Sequence, residues 1–269
     1  MSELDATIQR ITKKLALVRE TVNPAEIFGA DEHEYALNDP LTEAEISEIE
    51  RYCNVRLPDE YRAFLMSIGD GVNRVTETGG AGPGYGLYSV KTLDEVRECL
   101  EQPFPLNHSI LGVVELDQTD DYWPTYKEAS DRRRYGTLPL AHYGCGIFAA
   151  LVLRGEAYGT VWINDGACGD LAHFADYSRY FEESLHGRPA PADGPHSFTS
   201  WYEDWLDACL NTSPSSAEPP TVHKYLPGAY IVPTKPWMPI TTPPCPKCGK
   251  PLRTEKARQC FECGASWRE

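Results

Sequence analysis

The sequence predicts an α+β fold, in which helices cover a largely antiparallel sheet, followed by a small cysteine-rich module. Amphipathic helical segments with clear start signals occupy much of residues 3–68. Two apolar runs, 145–153 and 159–163, are separated by a short turn, as expected for two neighbouring strands. Helices followed by strands and then by further helices are typical of the α+β class. Four cysteines in two close pairs set the last residues apart.

The first predicted helix spans residues 3–21. Its apolar residues recur at steps of three and four, which gives one apolar face and one charged face. These residues are Leu4, Ile8, Ile11, Leu15 and Val18. We expect this face to pack on the rest of the chain. Residues 24–40 have little periodicity and contain an acidic run, so they are interpreted as a surface loop.

The next two predicted helices have specific start signals. Thr42 is the expected N-cap of the first, and Glu45 completes a capping box with it. This helix runs to about Cys53. The second begins near Pro58, whose missing N–H needs no partner in a first turn, and it ends at Gly69. Its expected buried face consists of Tyr61, Phe64, Leu65 and Ile68.

The pattern changes after Gly71. A glycine-rich turn at 79–86 is followed by a predicted strand at 87–90, a helix capped by Thr92 and a strand at 110–114. The turn Arg154–Tyr158 joins the two apolar runs into a central hairpin. Both runs are apolar on both faces, so helices must cover them. Two late helices are predicted, a short one capped by Asp176 and one containing Phe198, Trp201, Trp205, Leu206 and Cys209.

This pattern divides the chain into four segments. The expected division is an N-terminal amphipathic helix at 1–23, an α+β domain at 24–210, a proline-rich linker at 211–243 and the cysteine-rich module at 244–269. The linker also contains aromatic residues, so part of it is expected to lie along a folded domain. No internal repeat is evident.

The cysteine-rich module has the spacing of a zinc ribbon. Its two Cys-x-x-Cys knuckles consist of Cys245, Cys248, Cys260 and Cys263. A two-residue gap lets both sulfurs of a knuckle reach one tetrahedral ion, and a glycine after each knuckle permits a tight turn. Four protein ligands close the coordination sphere, which indicates a structural zinc ion rather than a catalytic one. Two disulfides, or an iron centre with the same ligands, are the alternatives.

The charge of the chain bounds its partners. The net charge is −15, and residues 1–239 contain 19 basic and 37 acidic residues, a formal charge of −18. Such a charge disfavours nucleic acids and membrane surfaces as partners of the body, whereas the more basic ribbon leaves nucleic acid open. It favours a basic protein partner, or it serves solubility alone. No apolar stretch long enough to span a bilayer occurs and no secretory signal is evident, so a cytoplasmic location is expected.

Two motifs suggest enzyme chemistry, and neither is favoured. Cys145 follows His142 by three residues and could form a nucleophile–base pair with it. However, residues three apart on a strand point to opposite faces, so a buried, inert thiol is the preferred interpretation. The remaining single cysteines are likewise expected to be reduced and mostly buried. The glycine-rich segment lacks the Gly-Lys-Ser/Thr ending of a phosphate-binding loop, which favours a simple turn.

A set of acidic and aromatic residues is the predicted partner-binding surface. It consists of Asp117, Asp120, Asp121, Trp123, Asp165 and Asp170. Calcium binding, acid–base chemistry and solvated loop charge are the alternatives, but neither stretch has the spacing of a calcium loop. Carboxylates raise the association rate with a basic protein, and aromatic rings supply desolvated contacts.

The sequence resembles the SUKH superfamily of Smi/Knr-like domains. The resemblance lies in residues 57–65 followed by Gly69-Asp70-Gly71, in residues 82–87 and in residues 201–206, and it spans about residues 40–210. It implies an α+β fold with a cleft that binds partner proteins. In bacteria such domains are most often immunity proteins, or antitoxins, that block toxins.

The resemblance leads to a functional expectation. We expect a non-enzymatic protein-binding domain that neutralises a bacterial toxin by occluding it. The alternative is a cytoplasmic scaffold or regulatory protein that uses the zinc ribbon as a docking module.

Overall fold

The computed structural model describes residues 2–72, 79–94, 96–109, 133–166, 171–180 and 195–212, together with Lys247. The chain divides into two units, residues 1–229 and 230–269, and the following description concerns the first. The described residues form helices and an antiparallel sheet, which confirms the predicted α+β class. The predicted strand at 110–114 lies outside the described residues.

The described elements are as follows. The helices are α1 (Glu3–Thr21), α2 (Ala30–His33), α3 (Glu43–Cys53), α4 (Asp59–Ser67), α5 (Phe174–Tyr180) and α6 (Phe198–Asn211). Short 3-10 helices span Pro24–Glu26, Val90–Asp94 and Arg97–Glu101. The strands are β1 (Thr137–Gly144), β2 (Ile147–Val152), β3 (Thr160–Asp165), β4 (Leu171–His173) and β5 (His196–Ser197).

The sheet is antiparallel throughout, in the order β1-β2-β3-β4, and β5 pairs with the start of β3. Strands β2 and β3 form the predicted hairpin, with Ile147 opposite Asp165 and Leu151 opposite Val161. The main core lies between the sheet and the helices. A smaller cluster, which includes Phe104 and Trp162, covers part of the opposite face. Both faces of the hairpin are therefore covered, but on the face of the smaller cluster the described residues outside the sheet, Phe104, Leu106 and Ala157, do not lie in helices as predicted.

Strand β1 was not predicted from the sequence. Its outer edge pairs with residues 85–88, where the Tyr88 N–H donates to the Leu140 carbonyl at 2.7 Å. The predicted strand at 87–90 is not formed: Leu87 and Tyr88 make only isolated bridges, and Val90 begins a 3-10 helix. Thr92 is not an N-cap but lies inside this turn, since its hydroxyl donates to the Ser89 carbonyl.

The N-terminal helix docks by its predicted face. Ile8, Ile11, Leu15 and Val18 are buried. Helix α1 contacts α6, and its polar edge adds ion pairs to that contact. Glu203 of α6 accepts from the Arg10 Nη2 atom at 2.8 Å and pairs with Lys14 Nζ at 2.8 Å.

Local start signals account well for α3 and α4. The Thr42 N–H donates to the Glu45 carboxylate at 2.8 Å and the Glu45 N–H donates to the Thr42 hydroxyl, so the capping box is confirmed. Helix α4 begins at Asp59, so Pro58 is its N-cap residue and not part of the first turn as predicted. Helix α5 differs from the prediction: it begins at Phe174, directly after β4, so Asp176 lies in its first turn instead of capping it.

The interpretation of residues 24–40 as a surface loop is wrong. Ala30, His33 and Tyr35 are buried there. This segment packs on the glycine-rich segment 79–86, which in turn packs on β1. A Cβ atom on Gly29 would lie 2.3 Å from the Gly84 carbonyl oxygen, so only glycine permits this approach. The glycine-rich segment is thus a packed element of the core as well as a turn.

His33 joins these two segments through both ring nitrogens. Its Nδ1 atom accepts the Tyr35 N–H at 3.0 Å, which leaves Nε2 to donate to the Gly82 carbonyl at 3.2 Å. The ring is therefore neutral in this arrangement, because protonation of Nδ1 would remove the acceptor of the Tyr35 N–H. Burial lowers the pKa of His33 from 6.5 to about 4.

We expect this histidine to make stability depend on pH. Between pH 6.5 and 4 the unfolded chain binds a proton at His33 that the folded chain does not, so stability is complete above pH 6.5 and decreases as the pH falls. The full loss is about 3 kcal/mol. Urea unfolding of wild type and His33→Asn across this range measures it. Asparagine places an oxygen where Nδ1 was but does not titrate, so equal pH slopes for the two proteins would contradict the assignment.

Candidate functional site

The predicted metal ligands Cys245, Cys248, Cys260 and Cys263 lie outside the described residues, and zinc binding there stays a prediction. Within the described part of the chain, no group of three or more histidine, cysteine, aspartate or glutamate residues could hold a metal ion.

Most of the predicted partner-binding residues also lie outside the described part. These are Asp117, Asp120, Asp121, Trp123 and Asp170. Asp165 is described, and it is fully buried instead of lying in an exposed loop. Strand β3 continues two residues beyond the predicted end and carries Asp165 into the interior, where its carboxylate accepts a hydrogen bond from the Tyr177 hydroxyl at 2.8 Å. Asp165 therefore links β3 to α5 in the interior of the domain.

Cys145 is exposed, so the expectation of a buried thiol is wrong at this position. It lies in the tight turn between β1 and β2, with a φ of 50° and a glycine on either side, also at positive φ. Cys145 therefore belongs to neither strand, and its side chain is in contact with solvent. His142 stacks on Phe148, with ring centroids 4.6 Å apart.

The described surface contains an open, shallow groove with a volume of about 570 Å³. Three parts of the chain form it: the start of α4, the turn that leads into β3, and the start of β5. The residues that line it are Arg56, Pro58, Asp59, Glu60, Tyr158, Gly159, Thr160, Pro195 and Ser197.

The segment 57–65 positions the groove by burying most of its own side chains. Leu57, Tyr61, Phe64 and Leu65 are fully buried. The turn before α4 is held because the Leu57 N–H donates to the Glu50 carboxylate at 2.7 Å. Most of this motif is therefore structural, and its polar residues determine what the surface presents.

Glu60, one of the residues that line the groove, links the start of α4 to the start of α6. Its carboxylate accepts from the N–H of Thr199 at 3.2 Å and from the Thr199 hydroxyl at 2.6 Å. It thereby satisfies donors in the first turn of α6, which has no earlier carbonyl to bond them. The first turns of α4 and α6 are thus held together.

Three polar side chains of the groove are exposed to solvent. Arg56 and Asp59 form an ion pair at 3.0 Å, and their side chains are 74% and 73% exposed. Tyr158 is 43% exposed, and its hydroxyl donates to the Arg56 carbonyl at 3.3 Å. Burial of the phenol raises the pKa of Tyr158, which keeps it neutral. Tyr158 was not selected from the sequence, although an aromatic residue in a hairpin turn was a usable signal.

The groove combines several features of a protein contact surface. Its described lining contains no histidine or cysteine, and its one deeply engaged carboxylate, Glu60, is committed to Thr199. An exposed aromatic ring beside paired charges is typical of a protein contact surface, because the ring supplies apolar area and the charges orient the partner.

The groove lies largely within a region of recognisable sequence. Residues 40–185, more than half of the chain, match the model of the SMI1 / KNR4 family (SUKH-1). This region contains both Arg56 to Glu60 and Tyr158 to Thr160. No curated protein and no solved structure gives a significant match. Among the described helices, none combines the length and apolar character that a membrane crossing needs. The match over residues 40–185 shows that the chain belongs to the SMI1 / KNR4 family (SUKH-1).

Proposed function

We propose that this protein is a non-enzymatic binding protein, an immunity protein that neutralises a bacterial toxin by occluding it. The observation that carries the proposal is the family match over residues 40–185, because domains of this family are commonly associated with immunity proteins. The acidic net charge of −15 supports a basic partner, which such a field would attract. Its test is co-expression with a candidate toxin from a neighbouring gene, and cells that die equally fast with and without this protein would contradict it.

The groove around Tyr158 is the proposed contact surface. A tyrosine contributes a large, stiff and amphipathic surface, and such residues dominate binding energies at the centre of protein interfaces. The hydrogen bond between Glu60 and Thr199 already holds the first turns of α4 and α6 together in the free protein. These two segments of the groove therefore do not need to become ordered when the partner binds. Less conformational entropy is then lost on association.

Replacement of Tyr158 by alanine is expected to weaken toxin binding by about 30-fold or more, because a central aromatic residue contributes about 2 kcal/mol or more. Titration calorimetry with an inactive form of the toxin measures the affinity. The folded state should remain, since the phenol makes one long hydrogen bond and is 43% exposed.

Tyr52 offers a matched control for this substitution. It is an exposed tyrosine on α3, 52% accessible, with the Arg97 guanidinium 4.6 Å from the centre of its ring. It is not part of the groove lining. Tyr52→Ala should leave the affinity within about twofold of wild type. Equal losses for the two variants would count against the groove as the contact surface.

The acidic and aromatic residues outside the described part are proposed as a second contact region. They are Asp117, Asp120, Asp121, Trp123 and Asp170. Reversal of the charge of all four aspartates is expected to slow association and to reduce its salt dependence, because exposed charges act mainly on the association rate.

We also propose that Cys245, Cys248, Cys260 and Cys263 hold one structural zinc ion. The support is their spacing, because four thiolates in two knuckles form a closed tetrahedral site. The ion would supply the free energy that so short a segment lacks for folding.

The proposed zinc ribbon favours a second candidate function, that of a cytoplasmic scaffold or regulatory protein with the ribbon as its docking module. Pull-downs with the full chain and with residues 240–269 removed separate the two. Loss of every partner on removal supports the scaffold, whereas retention of a toxin supports the immunity protein.

A further inference from the structure

We propose that the groove captures an arginine or lysine side chain of its partner between the Asp59 carboxylate and the ring of Tyr158, displacing Arg56 from Asp59. This inference rests on the proposed function in one respect, that the partner is a protein. It adds the chemistry that the groove recognises and the internal cation that competes for the same position.

The first support is the exposed ion pair in the groove. The Arg56 Nη2 atom lies 3.0 Å from the Asp59 Oδ1 atom, and about three quarters of each side chain is accessible. Water screens such a pair, so it contributes little to stability and exchanges readily for another cation. Arg56 and Asp59 are three residues apart, so the pair needs no long-range contact to form.

The second support is the aromatic ring beside this carboxylate. The Tyr158 hydroxyl donates to the main chain of Arg56, which places the phenol next to the segment that carries Asp59. Tyr158, Arg56 and Asp59 all line the same groove, so the ring and the ion pair belong to one surface patch. A carboxylate next to an aromatic face is a favourable site for a guanidinium or ammonium group.

The third support is the commitment of the other groove carboxylate. Glu60 is engaged by two hydrogen bonds from Thr199, so Asp59 is the exposed carboxylate of the lining. The negative net charge of the chain adds a long-range attraction for a basic partner.

A labelled oligo-arginine peptide is the probe, with an oligo-glutamate peptide as the negative control and fluorescence anisotropy as the measurement. Because any acidic protein attracts such a peptide, each variant is compared with one that changes charge equally outside the groove. Asp59→Asn is paired with Asp39→Asn, and Arg56→Ala with Arg51→Ala. Asp39 and Arg51 are exposed and do not line the groove.

We expect one substitution in the groove to lower the affinity for the oligo-arginine peptide and the other to raise it. Asp59→Asn should weaken peptide binding about fivefold more than Asp39→Asn. Arg56→Ala should tighten binding about threefold more than Arg51→Ala, because the competing cation is gone. All four positions are exposed, so thermal unfolding should confirm that each variant is folded.

Equal effects within either pair would overturn the proposal. This outcome is distinguishable from failure of the proposed function. If toxin neutralisation requires Tyr158 but not Asp59, the immunity function stands and the cation capture fails. If both peptide differences appear while co-expression protects no cell, the cation capture stands and the immunity function fails.

Discussion

Replacement of Gly84 by alanine is expected to lower the free energy of unfolding by about 4 kcal/mol. Gly84 has a φ of 61°, and a Cβ atom there would lie 2.4 Å from the His142 carbonyl oxygen. The left-handed backbone costs alanine about 1–2 kcal/mol, and the clash with a main-chain atom adds a few kcal/mol more. Gly84 lies between Gly29 and β1. The surrounding main chain therefore cannot move away without separating residues 24–40 from the sheet.

Urea unfolding of the variant measures this loss, and a decrease in melting temperature of roughly 10 °C should accompany it. Gly144→Ala is the matched control. Gly144 also has a positive φ, 91°, but the nearest atom to its added Cβ would be Tyr85 Cε2 at 3.5 Å, an ordinary contact. The control should therefore lose only the backbone contribution, about 1–2 kcal/mol. If Gly84→Ala is no worse than Gly144→Ala, the close packing of the glycine-rich segment is not what stabilises it.

Removal of zinc is expected to unfold the segment 244–269. In zinc-finger peptides the metal contributes on the order of 10–16 kcal/mol, and a segment of this length cannot bury a sufficient core without it. The purified protein should contain one zinc ion per chain, and a strong chelator should make this segment sensitive to protease. The thermal transition of the first unit should be unchanged, because its described core contains no metal-ligating cluster.

Cys248→Ser should abolish zinc binding, and Cys145→Ser is its control. Cys145 is an exposed, free thiol in the turn between β1 and β2, so its replacement should leave the zinc content at one per chain. Iron in place of zinc would be recognised by its absorbance in the visible range. The proposal would be wrong if protein purified under reducing conditions contained neither zinc nor iron and the segment 244–269 were still folded.

The sequence was most informative where structure depends on near neighbours in the chain. The Thr42 capping box, the apolar face of α1 and the β2–β3 hairpin are all local patterns, and all three are confirmed. The family resemblance at residues 57–65 is of the same kind, because its large apolar side chains, Leu57, Tyr61, Phe64 and Leu65, are buried. For these elements, spacing alone specifies which residues face inward.

Predictions failed where a distant segment determines the environment. Residues 24–40 have no periodicity, yet His33 and Tyr35 are buried because the glycine-rich segment packs on them. Strand β1 carries no clear strand signal and is held by its pairing with β2 and residues 85–88. Asp165 is polar and was expected on the surface, but the extension of β3 brings it to Tyr177.

The sequence by itself determined the α+β class, the family and the proposed zinc ligands, since each is encoded in spacings of a few residues along the chain. Only the tertiary structure decided which surface of the domain carries a groove. Tyr158 lies about a hundred residues from Arg56 in the chain, and the two meet because the β2–β3 hairpin packs beside the start of α4. Such contacts depend on how whole elements pack, and no local pattern of residue types specifies that.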